Sequence, residues 1–134
     1  MAFNDLYRLS SHAVILNERN EVLQLKATYS NRAWGLPGGA LDMGETIHEA
    51  LLRECVEELG CEVEIEYLSG VYYHSAVTSQ AFIFKCKLKS EADIQLSEEH
   101  SEYKWFALDE LSPVQIQRVL DCIEFDGQVK SRKF

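Results

Sequence analysis

Gly39-Ala40-Leu41-Asp42-Met43-Gly44-Glu45-Thr46-Ile47-His48-Glu49-Ala50-Leu51-Leu52-Arg53-Glu54-Cys55-Val56-Glu57-Glu58-Leu59-Gly60-Cys61 joins a turn that begins in glycine to a run free of proline and glycine from Thr46 to Leu59. That run is rich in Ala, Leu and Glu and stops at Gly60, a residue suited to the left-handed end of a helix, so the sequence predicts a helix over Thr46 to Leu59. At about 100° per residue, Glu54, Glu57 and Glu58 share an arc of roughly 100°, with Arg53 adjoining it. Most of the remaining circumference is apolar (Ile47, Ala50, Leu51, Leu52, Cys55, Val56, Leu59), so the acidic arc borders buried surface. Like charges at i,i+3 and i,i+4 repel, and carboxylates gathered beside a core offer hard oxygen ligands to a divalent cation such as Mg²⁺ or Mn²⁺.

Upstream, Trp34-Gly35-Leu36-Pro37-Gly38-Gly39 cannot be helix and reads as a shaped loop whose backbone can approach a ligand. Thr28 to Arg32 is polar and turn-like. Nearer the amino end, Leu9 to Leu16 and Glu21 to Lys26 read as strands of a hairpin around Asn17-Glu18-Arg19-Asn20. Downstream, Glu62 to Tyr67, Val71 to Tyr73 and Ala81 to Leu88 carry a period of two. A polar loop, Lys89 to Glu102, leads to the apolar segment Tyr103 to Leu108. A second helical region follows from Asp109 to about Phe125, with Val114, Val119, Leu120 and Ile123 as its apolar positions. Strands with two helices imply an α/β fold with helices covering sheet faces. No repeat or linker divides the chain, so residues 1–134 read as a single domain.

Charge is concentrated. The 134 residues carry a net −9, and residues 42 to 66 hold nine acids against Arg53 alone, leaving the remainder near neutral. Such a chain gains nothing from counterion release, which argues against binding a nucleic-acid polymer. No apolar run approaches the roughly 18 residues of a membrane span, and Met1 to Asp5 has neither a basic nor an apolar leader segment, so the sequence reads as cytoplasmic with no membrane partner. Cys55, Cys61, Cys86 and Cys122 have neither disulfide-framework nor zinc-site spacing and read as small buried hydrophobes.

Gly39, Glu45, Arg53-Glu54, Glu57-Glu58 and Gly60 stand at the spacing Gly-x5-Glu-x7-Arg-Glu-U-x-Glu-Glu-x-Gly-U, where U is a bulky aliphatic residue. The stretch Gly39 to Cys61 thus resembles the box of the Nudix hydrolases, the MutT-like family, with cysteine replacing the aliphatic residue at 55 and 61. Trp34 to Gly38 and Glu102 to Leu111 are similar to Nudix sequences as well. The resemblance implies a Nudix α/β/α sandwich, a mixed sheet between helices. It also implies a nucleotide pyrophosphohydrolase acting on acid anhydrides, which cleaves a nucleoside diphosphate linked to another group.

Carried over by position, the resemblance gives Glu54, Glu57 and Glu58 as ligands of one to three Mg²⁺ or Mn²⁺ ions, with the carbonyl of Gly38 or Gly39 adding a ligand. Arg53 would orient the glutamates, and Glu45 would hold loop and helix in register. The catalytic base would be a box glutamate or one from the downstream loop, which offers Glu98, Glu99 and Glu102, with Glu99 favoured. Substrate contacts would fall on Gly38, Gly39, Arg32 and Trp34, the last either stacking on a base or plugging the sheet edge; Tyr29, Tyr72, Tyr73, Phe82 and His74 are further candidates. A small nucleotide of the nucleoside triphosphate type is the expected substrate, and a homodimer is compatible with the family. The alternative is a silent Nudix-like module that senses a nucleotide without hydrolysing it.

Overall fold

The computed structural model describes residues 2–29 and 31–134; Met1, and Ser30 within the expected Thr28–Arg32 turn, lie outside them. Its elements run β1 (Arg8–Ile15), β2 (Val22–Ala27), β3 (Trp34–Gly35), β4 (Gly38–Ala40), α1 (Ile47–Leu59), β5 (Val63–His74), β6 (Ser79–Leu88), β7 (His100–Phe106), α2 (Pro113–Ile123) and β8 (Lys130–Lys133). One sheet has the order β4-β1-β6-β5-β8 and is mixed, with β1 parallel to β6 and β5 parallel to β8. The second, β3-β2-β7, is antiparallel.

The alternation of side chains along the central strands sorts the core into two layers. Ala13 and Ile15 of β1 and Phe84 and Cys86 of β6 turn to one side and meet Leu51, Cys55 and Leu59 of α1. Val14 and Ile83 turn to the other and meet Val119 and Cys122 of α2, with Tyr72 of β5. Both faces of β1 and β6 are therefore covered, which is why Ala13-Val14-Ile15 and Ile83-Phe84 are unbroken apolar runs. The result is the α/β sandwich with a mixed sheet between helices.

Helix α1 starts as its sequence requires. Thr46 is the cap itself: its hydroxyl accepts the Glu49 N–H at 3.1 Å, and the Glu49 carboxylate accepts the Thr46 N–H at 2.9 Å. Gly60 ends the helix in the left-handed conformation. Leu52 and Val56 remain exposed, so the buried stripe is narrower than the composition of the helix suggests.

Several expectations are corrected. β1 and β2 do not form a hairpin: apart from the single bridge Leu16↔Val22 they lie in different sheets, β1 between β4 and β6, β2 between β3 and β7. The polar turn fixes only the chain reversal, and burial on both faces decides the pairing. The glycine-rich Trp34–Gly39 stretch is not all loop, since it supplies β3 to one sheet and β4 to the other. The segments Glu62–Tyr67 and Val71–Tyr73 are one strand, β5, carried past its polar interruption by irregularities at Ile65/Tyr67 and Leu68/Gly70. Within it Gly70 leaves room for the Tyr72 ring, whose carbons an added Cβ would meet at 2.6 Å.

The region Asp109–Phe125 breaks into a 3-10 turn, Leu108–Glu110, and then α2. Pro113 at the first turn disfavours helical geometry in Ser112, which becomes the cap instead. Ile123 is exposed, whereas Arg118 and Asp121 are buried. β8 had no apolar pattern to announce it; its Lys-Ser-Arg-Lys sequence is that of a charged sheet edge. All four cysteines are free thiols, three of them buried. Among the described residues no helix is long and apolar enough to cross a membrane.

The edge strand is tied to α2 through Asp121. Its carboxylate accepts the Tyr72 hydroxyl at 2.8 Å, Arg132 Nε and Nη2 at 2.7 and 2.8 Å, and the Gln117 amide at 3.1 Å. The hydrogen bonds from Arg132 hold Asp121 below the usual carboxylate range. A carboxyl depressed in the folded state stabilises above its unfolded pKa, near 4, and that contribution is lost as pH falls through the folded value. Asp121→Ala is expected to cost about 1–3 kcal/mol at neutral pH, because the buried Tyr72 hydroxyl loses its acceptor. The difference from the parent should shrink below pH 4, as read by urea denaturation across pH; a constant difference would place the loss outside this ionised carboxylate.

Candidate active site

The acidic face of α1 lies against β4. Gly38 has φ +138°, and a Cβ there would fall 2.1 Å from the Ser11 carbonyl oxygen and 2.6 Å from His12 Cα, so only glycine lets β4 lie this close to β1. Its N–H donates to Glu58 Oε1 at 2.9 Å. A Cβ on Gly39 would meet the Glu54 carboxyl carbon at 2.7 Å, so the main chain of this strand touches both carboxylates of the helix face.

Arg53 gathers the remaining acids. Its Nε donates to Glu45 Oε2 at 2.6 Å and its Nη2 to Glu45 Oε1 at 2.9 Å, a two-pronged contact. Nη1 donates to Glu54 Oε1 at 2.9 Å and Glu57 Oε2 at 3.2 Å, and Nη2 also reaches the Ala40 carbonyl at 3.1 Å. Glu45 in turn accepts the Asp42 N–H at 2.8 Å, which closes the turn between β4 and α1. The guanidinium is pushed well above its ordinary pKa by Glu45 and then Glu54, and Glu45 is held low by Arg53 and the Asp42 N–H.

One arginine does not balance this many acids. Burial, followed by repulsion from Glu57 and Glu99, outweighs Arg53 and raises Glu54 above the usual range. Burial pushes Glu58 up to about 8, with Glu54, Glu99 and Glu57 adding to the rise against the Gly38 N–H. A carboxyl with such a value is protonated near neutrality unless a cation takes the proton's place. Burial followed by the charges of Glu99, Glu58 and Glu54 also raises the Tyr29 hydroxyl, so this exposed side chain stands in the field of the same acids.

Hard oxygen donors with a deficit of positive charge, next to a backbone stripped of Cβ atoms, fit a divalent cation of the Mg²⁺ or Mn²⁺ kind. The side chains are not arranged as a finished cage: among the described residues no three acids, histidines or cysteines converge at metal-binding spacing. Each carboxylate is turned instead to a donor of the protein, Glu58 to Gly38 and Glu54 and Glu57 to Arg53.

The other residues singled out in the sequence distribute as follows. Glu98 and Glu99 precede β7, and their carbonyls accept the Thr28 hydroxyl and the Thr28 N–H at 2.9 Å each, which ties the loop to the end of β2. The Glu99 charge reaches Glu54 and Glu58. Glu102 is turned to Lys26, its register partner on β2, at 3.5 Å. Trp34 packs edge-on against Phe106, ring centroids 5.1 Å apart, and is half-buried. Arg32 is exposed in a turn closed by its own N–H to the Tyr29 carbonyl at 3.1 Å. Arg53, Glu54, Glu57, Glu58, Gly38 and Gly39 are thus brought together with Glu99 nearby, whereas the Trp34 ring packs on Phe106 of β7.

Sequence reasoning named Tyr72 and His74 as substrate-contact candidates but missed the polar group that they form with Arg118, Asp121 and His12 on the opposite face of the sheet. Arg118 and Asp121 share the inward side of α2 with Val119 and Cys122, a placement that hydropathy alone does not signal.

Comparison with known proteins agrees with this geometry. The NUDIX domain family model matches residues 6–121. A MutT-like protein of Streptomyces ambofaciens is 32% identical over 126 residues, covering 91% of this chain and 80% of that protein. An RNA pyrophosphohydrolase of Sulfurovum sp. (strain NBC37-1) is 35% identical over 126 residues, covering 78% of this chain and 80% of that protein. The crystal structure of an ADP-ribose pyrophosphatase from Streptococcus suis superimposes with a TM-score of 0.76 at 21% identity, covering 96% of this chain and 100% of that one, and shares the fold. With an acid-bearing helix laid against a double-glycine strand and this match over most of its length, the chain belongs to the NUDIX family and is a Nudix pyrophosphohydrolase.

Proposed function

We propose that the protein hydrolyses a phosphoanhydride bond of a small nucleotide, of the nucleoside triphosphate type, with Mg²⁺ or Mn²⁺ as cofactor. The observation that carries this reading is the pair Glu54 and Glu58, half-buried and buried carboxylates raised in pKa at the backbone of Gly39 and Gly38. The Sulfurovum relative bears the name of a pyrophosphohydrolase and the Streptomyces relative that of a MutT-like protein, which supports the reaction type.

Glu54, Glu57, Glu58 and the Gly39 carbonyl would hold the ion. When bound, a divalent ion supplies positive charge against the anhydride oxygens and the attacking water. Arg53 keeps Glu54 and Glu57 facing the same side of the helix, and Glu45 keeps Arg53 over the turn. Gly38 and Gly39 let the diphosphate approach the main chain. Glu99, carried by the loop that Thr28 anchors, takes the proton of the attacking water, and Tyr29 stands over the same acids as a contact for the substrate. Arg32, exposed on the adjoining turn, offers a charge to the phosphates, and Trp34, two residues on, packs on Phe106 of β7.

Turnover should be measured on a panel of nucleoside triphosphates and their oxidised forms, ADP-ribose, NADH, a dinucleoside polyphosphate and nucleotide sugars. Mg²⁺-dependent cleavage of a triphosphate, abolished by EDTA, is the expected result; cleavage of none by folded, Mg²⁺-loaded protein would favour a nucleotide-sensing module. Glu57→Gln is expected to remove most turnover while the thermal midpoint stays level or rises, because an exposed acid at i,i+3 spacing from another contributes little to stability. Glu99→Gln is expected to lower kcat by roughly 10²–10⁴ with KM little changed, the range for loss of a general base. An unchanged kcat would remove Glu99 from the proton transfer and leave Glu98 and the box acids to be tried.

A further inference from the structure

Six of the twelve large apolar side chains that stand exposed among the described residues gather around the start of β1. Phe3 and Leu6 are 89% and 87% exposed, Met43 is wholly exposed, and Tyr7, Leu9 and Val77 lie between 39% and 52%. The main chain brings them together. The Arg8 N–H donates to the Thr78 carbonyl at 3.0 Å, and Tyr7 packs edge-on to Tyr73 with ring centroids 6.2 Å apart, which sets residues 2–7 beside the Ser75–Val77 turn. On the other side, the Leu41 N–H donates to the Leu9 carbonyl at 3.1 Å and draws in the turn that carries Met43.

Between the two runs a groove of about 590 Å³, walled by Tyr7 and Leu9 on one side and by Leu41, Met43 and Glu45 on the other. Phe3 and Leu6 stand outside it and belong to neither core layer. Single chains rarely leave such a patch open. At these exposures the six side chains offer on the order of 800 Å², the area that one partner of a standard-size interface buries.

The face is also nearly free of uncompensated charge. Residues 2–9 hold one acid, Asp5, and one base, Arg8, and residues 75–81 hold no charge. Of the two acids in the groove wall, Asp42 and Glu45, the second is taken by Arg53. Two copies of a chain with net −9 repel over much of their surface, but not across this face. A two-fold axis presents one face to itself, so a protruding apolar segment and a groove beside it are complementary without any second kind of protein.

We propose that two copies of the chain meet on this face, residues 2–6 of each lying in the groove between Leu9 and Met43 of the other. The contact makes no use of Glu54, Glu57, Glu58 or a nucleotide, so it stands or falls apart from the reaction.

Sedimentation equilibrium of the whole protein, from micromolar to millimolar concentration, is expected to show monomer and dimer in exchange. Leu6→Asp and Met43→Glu change side chains that are exposed in the single chain. Each is expected to keep the circular dichroism and thermal midpoint of the dilute parent and to weaken the dimer at least tenfold. Val129→Glu, at an exposed residue beside the opposite edge of the sheet, should leave the equilibrium unchanged. In a mixture of isotope-labelled and unlabelled protein, a filtered nuclear Overhauser effect between Leu6 and Met43 methyl groups of different copies would confirm the exchange of segments. A chain that stays monomeric to millimolar concentration, a dimer untouched by both variants, or a Leu6–Met43 contact within one chain only would overturn it. Binding to phosphatidylcholine vesicles that Leu6→Asp abolishes, with no dimer in solution, would overturn it as well and give the face to a membrane.

Discussion

Arg53 is the contact on which the acidic face depends. Its single guanidinium donates to Glu45, Glu54 and Glu57 and to the Ala40 carbonyl, so it ties the turn after β4 to the helix that carries the acids. Without it, Glu54 and Glu57 would repel at i,i+3 with no nearby base to offset them. That repulsion is a few tenths of a kcal/mol per pair, whereas burying a leucine side chain stabilises by about 1.5–3 kcal/mol. With Leu51 and Leu59 fully buried under the same helix, the core holds the acids in place and their mutual repulsion cannot release them. The helix can therefore keep an electrostatically unfavourable face without Arg53 having to neutralise it fully.

What Arg53 leaves unbalanced is set by distance from the core. Glu57 is well exposed and Glu58 almost fully buried, and burial drives Glu58 to about 8. Gly38 decides how near the helix face the strand can come, because its positive φ and missing side chain admit the Ser11 and His12 backbone on one side while its N–H meets Glu58 on the other. A larger residue there would move β4 off β1, and the one main-chain donor facing Glu58 would go with it.

The helix and its motif were legible because both are local. Capping by Thr46 and Glu49, the stop at Gly60 and the acid spacing depend on residues within a few positions of one another, and all are present in Gly39 to Cys61. Strand pairing was less legible for the converse reason. Leu16 and Val22 flank a turn that suits a hairpin, yet β1 is covered on both edges by lying between β4 and β6, an outcome fixed by residues about 28 and 71 positions away. β8 was invisible because it is held by main-chain pairing at an edge and by the Arg132 contact with Asp121, neither of which leaves an apolar pattern in Lys-Ser-Arg-Lys.

The polar group on the α2 face shows where pattern reading loses information. A helical wheel sorts residues by hydropathy, and on that scale Arg118 and Asp121 belong outside; their burial follows from partners supplied by β5 and β8, which the wheel does not contain. Asp121 is explained once Tyr72 and Arg132 are known. Arg118 has no carboxylate partner among the described residues, and its guanidinium is held instead by the Gln115 amide and by the His74 ring of β5, again a partner that the wheel does not contain. The same holds of Glu58 on the opposite face, buried against the Gly38 N–H of β4. The sheet thus keeps the acids of α1 and the buried Arg118 of α2 on opposite faces, with Gly38 of β4 against Glu58 on one side and His12 on the other.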